Sequence, residues 1–257
     1  MKKISTDSDG VLGVTSVDDE LFVLLRRDVD QVAVYSINYY QPLRHLNVPD
    51  LKANNSNDMT SCERHTCLHM SDNDSKCIHR FDLSSSAVTK WSVPGSPCGL
   101  SVTPNCNLLV TCGGQTHKLV ELSADSGQCV REITLQSDIK GPCHGIKLAT
   151  GQFVVCHGGG DDHLHRVCVV DNRGKVKRSY GSDRSRLNCS SHLAVVKDSQ
   201  VIFVVDWGNQ RVVKLSSTLE LIEEYSEELS CPWRLLHHVA RRLYVGQLDG
   251  SVVVIQL

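Results

Sequence analysis

Aromatic residues make up only 5% of this 257-residue chain, so a core built on stacked rings is excluded and Val, Leu, Ile and Cys must fill it. No apolar run approaches the roughly 20 residues a helix needs to cross a bilayer. The opening stretch MKKISTDSDG lacks the apolar segment of a secretory leader. A cytoplasmic protein with no membrane partner is the expectation. An excess of positive charge is also missing: 27 basic residues face 29 acidic ones, which argues against a binder dominated by phosphate contacts. No Ser-His-Asp order, phosphate loop or pair of catalytic carboxylates stands out. The twelve cysteines lack the clustered spacing of a small disulfide scaffold, so they read as buried free thiols acting as small hydrophobes.

What is present is a repeat. In VIFVVDWGNQRVVKLSSTLELIEEYS (201–226) an apolar run leads through Asp206 into a polar turn, then to Arg211, a second apolar run and a third. Alternating burial and turn chemistry of this kind describe three strands of one antiparallel blade. The short motifs Pro97-Cys98-Gly99-Leu100, Cys143-His144-Gly145-Ile146, Ser190-Ser191-His192-Leu193 and Pro232-Trp233-Arg234-Leu235 fall in one column. Their spacing of about 42 to 47 residues is a propeller period. The expectation is an all-β, six-bladed β-propeller of four-stranded antiparallel blades in one domain. Its blades span roughly 10–50, 51–95, 96–140, 141–186, 187–229 and 230–257 plus 1–6, and Lys2 to Ser5 supplies the strand the last blade lacks, so no sheet edge stays open. Blade two is read as Thr66 to Met70, Cys77 to Leu83 and Ala87 to Val93, after a polar insertion around Leu51 to Ser61.

The segments VDWGNQRVVKL and RVCVVDNRGKVKRSYG resemble NHL repeats, as in the NHL domains of tripartite-motif-type proteins. The match includes Asp206, Asn209 and Arg211 in blade five and Asp171 and Gly174 in blade four; elsewhere it rests on spacing. The resemblance implies a non-enzymatic recognition module for a protein or peptide, the binding part of a larger protein or assembly, without a cofactor. It also admits single-stranded RNA binding, and a metal-dependent lyase or hydrolase using channel-facing histidines.

The upper face, where the innermost strands begin, gathers the binding candidates: His144, His192, Arg234, the anchors Trp207 and Trp233, Asp206 and Arg211, and the loop His157 to His165 with His157, His163 and His165. For the metal-dependent alternative the resemblance implies channel-facing histidines, which His144 and His192 would mimic; a third histidine at repeat spacing is lacking, and Arg234 or Trp233 stands in its place. Arg173, Lys175, Lys177, Arg178, Arg184 and Arg186 concentrate positive charge for RNA or an acidic partner. In blade two, Cys67, His69, Cys77 and His79 are soft donors for zinc if the hairpin brings them to one face.

Overall fold

The computed structural model describes residues 1–257 except 115–116, 159–163 and 182–185. Those residues form six antiparallel sheets of four strands each, arranged as the six blades of a propeller. The innermost strands are Val11–Val17, Met59–Cys62, Ser96–Val102, Pro142–Lys147, Ser190–Val195 and Pro232–His238. The ring closes as the alternation predicts: Lys2–Ser5 pairs antiparallel with Ser251–Gln256 and becomes the outer strand of blade six. No helix among the described residues is long and apolar enough to cross a membrane.

Most second strands are apolar on both sides, because each lies between two neighbouring blades; that of blade two carries Cys67, His69 and Ser71 on one side. In Glu20–Leu25, residues Leu21, Val23 and Leu25 pack toward Tyr244, Val252 and Val254 of blade six. Phe22 and Leu24 pack the other way, against Met59, Leu68 and Met70 of blade two. Period-2 alternation thus fills two slots from one strand. Six such clusters, one per slot, make up the core. Cys112, Cys156 and Cys168 are buried in these slots as free thiols. The few aromatics are concentrated there too: Phe22, Phe153, Phe203 and Tyr244 are among the largest fully buried side chains.

Blade two differs from the reading above. Its innermost strand is Met59–Cys62, inside the polar stretch, and Cys67–Asp72 is its second strand. Met59 and Cys62 are buried while Thr60 and Ser61 are half-buried, so this four-residue strand has too little apolar pattern to stand out. The pairing also separates the four candidate zinc donors. His79 lies opposite Met70 and Cys77 opposite Asp72, whereas His69 lies opposite Arg80. His79 therefore shares a sheet face with Met70, and His69 points to the other face.

Candidate functional site

In five blades the innermost strand begins with a bulge, and strand pairing then fixes one equivalent position in all six. Gly13, Asp58, Gly99, His144, His192 and Arg234 each directly precede the residue that pairs with Val23, Met70, Val110, Val155, Val204 or Val245 on the second strand. This column corrects the sequence alignment, which set His144 beside Cys98, Ser191 and Trp233. The bulge starts at Pro97, Pro142, Ser190 and Pro232, so Pro142, not Cys143, matches Pro97.

The column lines the central channel, and four of its side chains meet there. The Leu100 N–H donates to Asp58 Oδ2 at 2.7 Å. His144 Nε2 donates to the Leu100 carbonyl at 2.9 Å and lies 3.5 Å from the same carboxylate oxygen, and His192 Nε2 and Arg234 Nε both lie 3.3 Å from Asp58 Oδ1. Those last two contacts have ion-pair distance without hydrogen-bond alignment, which leaves Oδ1 buried and unpartnered among the described residues. The two imidazoles stack at 3.8 Å between centroids. Arg234 directs its own donors to backbone carbonyls: Nε to Leu12 of blade one at 2.8 Å, Nη2 to Asn57 of blade two at 2.5 Å and Nη1 to the adjacent Trp233 at 3.1 Å. Gly99 is required by close approach, since a Cβ there would stand 2.7 Å from the His144 Cδ2 and 2.5 Å from the Cys143 carbonyl oxygen.

Burial alone would raise the Asp58 carboxyl; His192, Arg234 and His144 together reverse that and hold it well below the usual range. Burial pushes His144 down to about 3, with His192 adding to the effect, and lowers His192 against the pull of Asp58. At neutral pH the centre is a carboxylate beside one guanidinium and two uncharged imidazoles.

This cluster divides the channel into two cavities. The lower one, about 520 Å³, has His144 and His192 in its lining, apolar walls that include Val102, Ile146 and Leu235, and Glu63, Arg64, His237 and His238 among its polar groups. The upper one, about 350 Å³, is lined by Asp58, His192, Trp233 and Arg234 among others.

The other candidates are distributed. Trp207 and Trp233 meet edge to face at 6.2 Å, and Arg234 lies over the Trp233 ring at 4.9 Å. Asp206 is fully buried. It accepts from the Asn188 N–H at 2.7 Å, from Asn209 Nδ2 at 2.8 Å and from Arg211 Nε at 2.8 Å, and Arg211 continues to Glu224 and to the Arg186 carbonyl. His157 and His165 are buried rather than displayed on a loop. The His157 Nε2 contacts Cys168 Sγ at 3.4 Å, and burial pushes that imidazole down to about 4. His163 lies outside the described residues, as does Arg184.

Of the basic residues, Lys177 pairs with Asp171 at 3.0 Å, Arg173 and Lys175 occupy the turn between the outer strands of blade four, and Arg178 lies on its outermost strand. Cys67 approaches His69 at 3.8 Å, while Cys77 and His79 converge with Asp72 elsewhere. Asp58 escaped the sequence reading altogether. Its signal was position: it stands 41 residues ahead of Gly99, one residue short of the shortest spacing between the four motifs.

No protein-family model matches the chain, and no curated protein matches it in sequence. Solved structures do resemble it. A virginiamycin B lyase from Staphylococcus aureus superposes with a TM-score of 0.69 at 13% identity, over 100% of this chain and 98% of that one. A streptogramin B lyase gives 0.68 at 14%, over 100% and 86%. The Kuenenia stuttgartiensis hydrazine synthase gives 0.68 at 12%, over 99% and 97%. At these identities the likeness is one of fold. It overturns the expectation of a non-enzymatic module, because the similar full-length rings include lyases, and a chain of this fold is not set apart from catalysis by its architecture.

Proposed function

We propose that this chain is a metal-assisted lyase or hydrolase centred on Asp58, His144 and His192, with its substrate in the lower cavity. The observation that carries the reading is convergence: these three side chains each present a ligand atom, all within 4.8 Å of one another, at the channel axis. The donor set suits a borderline cation such as zinc. The two imidazoles approach different oxygens of the carboxylate, His192 at 3.3 Å from Oδ1 and His144 at 3.5 Å from Oδ2, so an ion with bonds of about 2.0 to 2.1 Å would draw the three groups together. The unpartnered, buried Oδ1 of Asp58 supplies a further lone pair directed into the cluster. Two imidazoles and one carboxylate would hold the ion once each Nε2 gives up the proton it directs to the Leu100 carbonyl or to Asp58, and the ion when bound would supply Lewis acidity.

The chain's own groups do the rest. Arg234 balances the Asp58 charge and thereby opposes a divalent ion, so modest affinity is expected. Gly99 leaves room for the His144 ring, and the apolar cavity walls favour a partly apolar substrate and keep bulk water from the floor. We also assign the blades to the NHL type, on the strength of the Asp206, Asn209 and Arg211 network.

The test is turnover and metal content measured together. Protein loaded with zinc, or stripped with a chelator, is incubated with a panel of esters and peptides and with quinupristin, the compound held in a similar virginiamycin B lyase structure. Mass spectrometry then separates hydrolysis, which adds water to the products, from elimination, which does not. The reading expects zinc-dependent turnover of at least one panel member and its loss in His144→Gln. No stoichiometric metal and no turnover would refute it.

A peptide or protein partner on the upper face is the second reading, supported by the Trp207–Trp233 pair beside the upper cavity. Trp207→Ala should weaken partner capture with little change in melting temperature; a stability loss without a binding change would make the residue structural.

A further inference from the structure

A second chemical constellation opens on the same lower cavity, away from the axis. Cys62 ends the innermost strand of blade two, and a single 3-10 turn, Glu63–His65, follows it. That turn folds His65 back so that its Nδ1 lies 3.1 Å from Cys62 Sγ. The other ring nitrogen, Nε2, lies 3.1 Å from Asp125 Oδ1 on blade three. The carboxylate accepts a hydrogen bond from Nε2–H, so Nδ1 is left as the acceptor facing the thiol. Cys62, Glu63, Arg64 and Cys106 all line the cavity.

We propose that Cys62, His65 and Asp125 form a nucleophilic thiol centre for acyl transfer, taking an activated ester or thioester carbonyl bound in the lower cavity. Nucleophile, base and orienting carboxylate stand in hydrogen-bond sequence, which is the arrangement covalent acyl chemistry requires. Burial raises the Cys62 thiol, and the backbone N–H groups of His65 and Arg64 pull the other way. The resting group is therefore a thiol that needs its base.

The Cys62 S–H gives its proton to His65 Nδ1 as sulfur adds to the carbonyl carbon. The bond to the leaving group then breaks, the leaving group takes that proton, and a thioester remains on Sγ. Water adds to the thioester, His65 accepts its proton and returns it to sulfur, and the acid is released. The net change is one ester and one water to one acid and one alcohol. This deepens the hydrolase reading but needs no metal.

The test is acetylation by p-nitrophenyl acetate with a chelator present, mapped by peptide mass spectrometry, with the exposed Cys129 as an internal reference thiol. Cys62 should gain an acetyl group at least about tenfold faster than Cys129. His65→Gln should lower the Cys62 rate by about a hundredfold and remove its pH profile, and Asp125→Asn should lower it severalfold, with the Cys129 rate unchanged in both. If His65→Gln fails to fold, the exposed Asp125 position carries the comparison. A Cys62 rate no greater than that of Cys129, or one indifferent to both substitutions, would overturn the proposal. The chelator keeps the outcomes apart, since failure here leaves the axial metal reading standing.

Discussion

Asp58 is the residue on which the channel depends, because among the described residues it alone sets a carboxylate against two imidazoles, one guanidinium and a backbone N–H at the axis. Replacing it with Ala leaves Arg234 buried without its counter-charge, and removing one partner of a buried pair costs about 3–5 kcal/mol. Urea unfolding should show that loss. Gly99→Ala should act more locally. The added methyl group collides with the His144 ring and the Cys143 carbonyl, at about 1–3 kcal/mol for an overpacked site, and metal uptake should fall while the fold persists. Acid should weaken the protein through its buried histidines. Burial pushes His69 and His144 down to about 3 and His157 to about 4, against about 6.5 in an unfolded chain. Between those values the unfolded state binds more protons, so stability is full above about pH 6.5 and declines as pH falls toward 4. The urea midpoint followed from pH 7 to 4 checks this, and a flat profile would contradict it.

The blade as an element is held by its second strand's last residue. Asp206 accepts from the Asn188 N–H, and Gln247 accepts in the equivalent place from the Ser230 N–H at 2.7 Å, so each ties the lead-in loop to its own hairpin. Asp206→Ala also removes the buried carboxylate partner of Arg211, which keeps Glu224 and the Arg186 carbonyl, and should cost about 3 kcal/mol, whereas Gln247→Ala, which breaks neutral bonds, should cost about 1–2 kcal/mol. Equal losses in urea titrations would deny the ionic contribution. These elements were the legible part of the sequence. Apolar alternation and the Asp206 turn revealed the blades because every blade must fill two slots, and that demand leaves a mark in each repeat. His144 and His192 entered as channel residues through the family resemblance, while the repeat alignment set them one residue out of register with each other, because the bulge that aligns them begins at Pro142 rather than Cys143. Asp58 was not legible, because its four-residue strand is half polar and is preceded by a run of Asn and Ser. Nor was the His65–Asp125 contact, which joins two blades through turns whose approach no local pattern encodes.

Closure is the property of the whole molecule. Four residues of the N-terminal segment complete blade six, and without them Ser251–Gln256 becomes an open edge with Val252 and Val254 beside it. Deleting residues 1–6 should lower the melting temperature by about 5 °C or more and produce concentration-dependent association in light scattering; a monomer of unchanged stability would contradict this account of the ring. Closure also brings side chains of blades two, four, five and six to one point on the axis, and the proposed function depends on that point. Zinc X-ray absorption on protein loaded with one equivalent tests it most directly, because twelve thiols compete for the ion and sulfur lies near 2.3 Å from zinc while nitrogen and oxygen lie near 2.0–2.2 Å. The account predicts a nitrogen and oxygen shell without sulfur, abolished in the His144→Gln, His192→Gln double variant. A sulfur shell, or a spectrum unchanged in that variant, would contradict it.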